Sequence, residues 1–128
     1  MEKVRLTEEQ FVFVGQYVEL VATIKDGFQY VMESFEDYSK TEGDQVLSDI
    51  LSALPQVTSG NGILQKIFPL DVGNKIEKFD IVVEQFFLLD GFFNDRQRKE
   101  EIVKESIYPA FNKWVGEVEQ ELLPYIRS

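Results

Sequence analysis

Eight apolar residues, Val14, Tyr17, Val21, Ile24, Phe28, Val31, Phe35 and Tyr38, follow one another at spacings of three and four without interruption. Only a long helix places all of them on one face. A seam with a mean period of about 3.5 residues favours neighbours that cross at a shallow angle. The spacing therefore predicts an all-α fold, an antiparallel four-helix bundle formed by residues 1–128 as a single domain, with room for a short fifth helix between helices 2 and 3.

The first helix is expected from Glu8 to Tyr38, with Thr7 as N-cap and Gln10 closing a capping box; roughly 31 residues at 1.5 Å each give about 47 Å. Gly15 and Gly27 lie inside it at a cost of up to about 1 kcal/mol each relative to Ala. The strong flanking pattern can simply tolerate them, or a neighbouring helix crosses closely at one. Ser39–Asp44 reads as a turn. Val46, Leu47, Ile50, Leu51, Leu54 and Val57 then give a second helix, which should end or kink near Pro55, where a backbone donor is missing. Thr58-Ser59-Gly60-Asn61-Gly62 is the strongest breaker in the chain. A short amphipathic segment, Ile63 to Phe68, and a connection, Leu70 to Asn74, follow it.

A third helix is predicted over Lys75–Phe93, carrying Ile76, Phe79, Val82, Val83, Phe86 and Leu89 on one face. Ile81, Phe87, Leu88 and Phe92 widen its apolar surface, which implies burial on more than one side. Asn94-Asp95 caps a fourth helix bearing Ile102, Val103, Ile107, Phe111, Trp114, Val118, Leu122 and Tyr125. Pro109 interrupts that pattern and predicts a kink.

The composition, 44% apolar and 13% aromatic, is that of a chain with a core. Cysteine and histidine are both absent. That excludes zinc sites of the Cys/His type, Ser-His-Asp chemistry and imidazole acid–base catalysis, and nothing calls for a cofactor. The lack of cysteine agrees with a reducing cytoplasm. The N-terminus, Met1-Glu2-Lys3-Val4-Arg5-Leu6, has no apolar leader core and reads as not exported. Ile81–Phe93, broken by Glu84, Gln85 and Asp90, falls short of the roughly 20 residues a membrane span needs. Twenty-three acids against thirteen bases give a net charge of −10, which repels nucleic-acid phosphates and anionic headgroups. Neither nucleic acid nor membrane is an expected partner.

Several carboxylates share helix faces: Glu33, Glu36 and Asp37; Glu101 and Glu105; Glu117 and Glu121. Di-iron bundles add Glu-x-x-His from two helices, and no histidine is present, so a solvated face is the expected use. Asp71-Val72-Gly73-Asn74 lacks the ligand alternation of a calcium loop, and Gly60-Asn61-Gly62 is followed by no Gly-Lys-Ser/Thr. Asp90 reads as solvent-facing or paired with Arg96 or Arg98 rather than as a catalytic acid. The run Arg96-Gln97-Arg98-Lys99 leads into an intrahelical Glu100–Lys104 pairing, with an anion site at this helix start as the lesser reading.

No catalytic or metal-ligating set emerges. What remains is an aromatic surplus: Phe86, Phe87, Phe92, Phe93, Tyr108, Phe111 and Trp114 are candidate interface residues. They point to a non-enzymatic, cytoplasmic interaction module, adaptor or chaperone-like, that binds a partner protein or a second copy through helices 3 and 4. Two alternatives stand beside it: an acidic immunity-type inhibitor that masks a basic site, and a binder of an apolar small ligand in a cavity lined by Phe79, Phe86 and Trp114. In length, helix count and acidity, though in no residue motif, the chain is similar to small bacterial four-helix chaperones such as the flagellar export chaperones.

Overall fold

The computed structural model describes residues 4–126, and among them every regular element is helical. The helices are α1 (Glu8–Ser34), α2 (Gly43–Ile67), α3 (Leu70–Glu77), α4 (Phe79–Phe86), α5 (Arg96–Ile102) and α6 (Tyr108–Ile126). A 3₁₀ turn, Phe87–Leu89, follows α4, and a π-helical turn, Val103–Ile107, joins α5 to α6. Residues 1–3, part of the leader reading, lie outside the described residues.

These pieces make four rods: α1, α2, α3 with α4, and α5 with α6. Their directions follow from which residues meet. Ser34 meets Gly43, Gly27 meets Ile50, and Tyr17 meets Gly60, so position falls in α1 as it rises in α2. Lys75 pairs with Glu121, Lys78 with Glu117, and Phe79 stacks on Trp114, so α3–α4 and α6 are also antiparallel. Lys25 with Glu119 and Phe28 with Phe111 set α1 against α6 in the same sense. The result is the predicted all-α, antiparallel four-helix bundle. Phe28, fully buried, sits at its centre against Phe86, Tyr108 and Phe111.

Thr7 caps α1 as expected: its hydroxyl accepts from the Gln10 amide while the Gln10 side chain accepts from the Thr7 amide. The helix stops at Ser34, short of Tyr38. Phe35 still packs on the core, but Tyr38 is 76% exposed. The chain turns here because Asp37 accepts from both the amide and the hydroxyl of Ser39, a local turn that competes with further helix.

Helix α2 departs most from expectation, since it runs unbroken through Pro55 and through Thr58–Gly62. Packing overrides propensity. Gly60 lets the Tyr17 ring approach so closely that a Cβ there would lie 3.0 Å from it, and the Asn61 side-chain Oδ1 accepts from the Tyr17 hydroxyl. Gly27 is likewise the site of a close crossing, with Ile50 3.2 Å from where its Cβ would be, whereas Gly15 faces open space.

The short segment expected over Ile63–Phe68 is the last turn of α2, and the extra short helix falls instead at Leu70–Glu77, the first part of the third rod, where a connection was expected. The helix expected over Lys75–Phe93 is divided at Lys78. Trp114 explains the break: its indole N–H donates to the Ile76 carbonyl at 3.1 Å, a buried bond that takes an acceptor out of the helical ladder. After Leu89, Gly91 adopts a φ of 80° and turns the chain away. The kink expected at Pro109 takes the form of the π turn just before it, in which the Tyr108 amide donates to the Val103 carbonyl. Pro109 follows directly, as the second residue of α6, and the helix continues past it.

Candidate functional site

Residues 81–92 carry the densest run of exposed apolar side chains. Ile81 and Leu88 are seven residues apart and share a strip of α4 and its 3₁₀ extension, while Asp80, Glu84 and Phe87 lie three to four apart on the adjoining strip. Phe87 is 70% exposed; Ile81, Leu88 and Phe92 are each about half exposed. Val82, Phe86 and Leu89 point the other way and are buried. One short segment is thus apolar on both sides, and only one side is covered.

Contacts from α5 hold the Phe92–Phe93 end of this ridge. The Lys99 side chain is one of two buried polar ones among the described residues. Its ammonium donates to the Phe93 carbonyl at 2.9 Å, pairs with Asp44 at 2.6 Å, and lies 4.9 Å from the Phe93 ring centroid. Phe93 is therefore clasped, and with it the turn that displays Phe92. Asp95 caps α5 by accepting from the Arg98 amide, and the Arg98 guanidinium lies 5.6 Å from the Phe92 ring while pairing with Glu101. The end of the ridge at Phe92 is held this way and loses little conformational entropy on binding.

The structure divides the seven candidate aromatics. Phe86, Phe111 and Trp114 are core residues, engaged with Phe28, Phe79 and one another. Phe93 and Tyr108 are partly buried against that core. Phe87 and Phe92 reach the surface. Ile81 and Leu88 belong with them and were missed as site residues, although their spacing of seven carried the signal.

Phe79 and Trp114 pack with ring centroids 4.6 Å apart, which leaves no cavity between them for an apolar ligand. The space beside Trp114 is an open groove of about 210 Å³, bounded by Ile81, Val82 and Ala110 and rimmed by Lys78, Lys113 and Glu117. It adjoins the ridge through Ile81.

Asp80, Glu84 and Asp90 have no ion-pair partner among the described residues, so the acids that flank the ridge are uncompensated. On α6 the carboxylates are matched: Glu117, Glu119 and Glu121 meet Lys78, Lys25 and Lys75, and the hydrogen bond to Glu121 holds the Lys75 ammonium above its usual range. Lys104 pairs with Glu100 as expected and also with Glu36. No group of three or more acids among the described residues is placed to hold a metal, and no helix there is long and apolar enough to cross a membrane.

Residues 12–117 match the family described as "Domain of unknown function (DUF8042)". The chain is similar to "Uncharacterized protein YvzG" of Bacillus subtilis (strain 168), 27% identical over 119 residues that cover 92% of this chain and 95% of that protein. No solved structure matches significantly.

Proposed function

We propose that this chain, which belongs to the DUF8042 family, is a non-enzymatic, cytoplasmic interaction module that docks a basic, apolar segment of another protein on the ridge of Ile81, Phe87, Leu88 and Phe92. The observation that carries this reading is a run of exposed apolar residues on a braced segment flanked by unpaired acids. Burying a side chain such as Phe87 is worth about 1.5–3 kcal/mol, so two or three anchors supply most of a specific interface. The acids choose the partner's sign: Asp80, Glu84 and Asp90 favour Lys or Arg beside the incoming apolar residues. A second copy would bring the same acids and another ten negative charges, which disfavours self-association.

The test is a pull-down with the wild type and with Phe87→Ser/Phe92→Ser, washed at low and high salt, after circular dichroism has shown that the variant folds. A partner retained in salt by the wild type and lost by the variant supports apolar docking. A partner that salt alone removes and the variant still binds refutes it and favours the acidic inhibitor. A doubled mass in light scattering that reverts in the variant refutes it in favour of a homodimer.

A further inference from the structure

A second concavity lies at the other end of the Lys99 clasp. The connection after α1, the first turn of α2 and the start of α5 bound an open cleft of about 370 Å³, within the range of small-ligand pockets. Its aromatic wall is Phe35 and Tyr38, and its cations are Lys40, Arg96 and Lys99. In a chain of net charge −10, three bases converge here against one lining carboxylate, Asp44.

The three bases are not equally engaged. Lys99 is committed to Asp44 and the Phe93 carbonyl. Lys40 stands 3.6 Å from Glu33 and 5.3 Å from the Tyr30 ring centroid. Arg96 has no carboxylate within ion-pair distance among the described residues, and its guanidinium lies 5.0 Å from the Tyr38 ring centroid. A planar guanidinium on an aromatic face leaves its forked edge free for an oxyanion. Thr41 and Asn94 line the same cleft, and their side chains have no hydrogen-bond partner among the described residues. Gly43, packed so tightly on Ser34 that a Cβ would lie 2.3 Å from the Ser34 oxygen, keeps the backbone bare at this point. No side chain caps α2, which leaves its first-turn amides unbonded as well.

We propose that this cleft binds a small molecule that carries an oxyanion, phosphate or carboxylate, on a flat apolar body. Arg96, Thr41 and Asn94 hold the anion and Tyr38 with Phe35 receives the body. Asp37 and Glu42, exposed and adjacent in the chain to the lining residues Tyr38, Thr41 and Gly43, repel a polyanion and so favour a ligand with one anionic group.

Phenyl phosphate, benzoate and phenol, titrated separately into isotopically labelled protein and followed by amide NMR, test this. Phenyl phosphate should give saturable shifts at Gly43, Asp44, Gln45 and Asn94, weakened about tenfold or more in Arg96→Gln and less in Thr41→Val, with melting temperatures unchanged because both residues are exposed. Benzoate binding more tightly than phenyl phosphate assigns a carboxylate ligand, and much weaker binding assigns a phosphate. The proposal is overturned if no shift saturates by about 10 mM, if phenol moves the same amides as strongly, or if folded Arg96→Gln binds as the wild type does.

Discussion

Asn61 and Lys99 are the two buried polar side chains among the described residues, and the bundle accommodates them in opposite ways. Asn61 lies between α1 and α2, where its carbonyl takes the Tyr17 hydroxyl. Both partners are neutral and both are buried, so neither has water to fall back on. Lys99 lies at the edge of the fold with its stem covered and its charge matched by Asp44, whose side chain is 70% exposed. Its environment permits the charge because the counter-ion never leaves solvent. The first contact sets helix register deep in the bundle; the second fastens a surface turn. A neutral pair suits a place that must never open, and a half-solvated ion pair suits one that can be rearranged.

Asn61→Ala should give the largest effect, a loss of about 2 kcal/mol in urea unfolding, because the Tyr17 hydroxyl stays buried without an acceptor. Tyr17→Phe combined with Asn61→Leu should recover part of that loss, and a double-mutant cycle with no coupling would dissolve the first half of the contrast. Burial pushes the Tyr17 phenol well above its usual range. The stability tied to its protonated form is therefore intact below about pH 10 and lost as the pH climbs beyond it; Tyr17→Phe should remove that alkaline loss.

A smaller cost, about 1 kcal/mol, is expected for Lys99→Met, since Asp44 remains hydrated once its partner is gone. Hydrogen exchange should quicken in residues 90–95 and stay unchanged across the α1–α2 contact. A global destabilisation as large as that of Asn61→Ala would show that the two sites are not different in kind.

The smallest effect should come at an exposed site. Hydrogen bonds from the Ser39 hydroxyl and amide hold the Asp37 carboxyl below its usual range. Ser39→Ala should raise that pKa in a carboxylate NMR titration. The associated stability exists above the carboxylate's unfolded range and fades as the pH falls through its folded value. An unmoved pKa would show that the hydroxyl contributes nothing there.

Legibility in the sequence tracked how local each cause was. Thr7 and Gln10 are three residues apart and their reciprocal bonds could be read directly, as could the seam from Val14 to Val31 that forms the buried stripe of α1. Thr58–Gly62 was opaque because its helical state depends on Tyr17, more than forty residues away in the chain. The division at Lys78 depends in the same way on Trp114. For the aromatics, composition showed a surplus without showing its sidedness: Phe86 and Phe87 are adjacent and identical in type, yet one is core and the other surface. Arg96 read first as the start of an ordinary charged helix, with an anion site as the lesser reading, and only the fold brings it beside Tyr38 and Thr41.

The π turn at Val103–Ile107 holds one residue more than an α-helical path between the same two ends requires. The last rod can therefore change in length by a single residue at that point without rotating the faces of α5 and α6 that bear Lys99 and Trp114. A homologue with a one-residue gap there should keep both the clasp and the core, whereas the same gap in the middle of α6 would turn about a hundred degrees of its surface out of register.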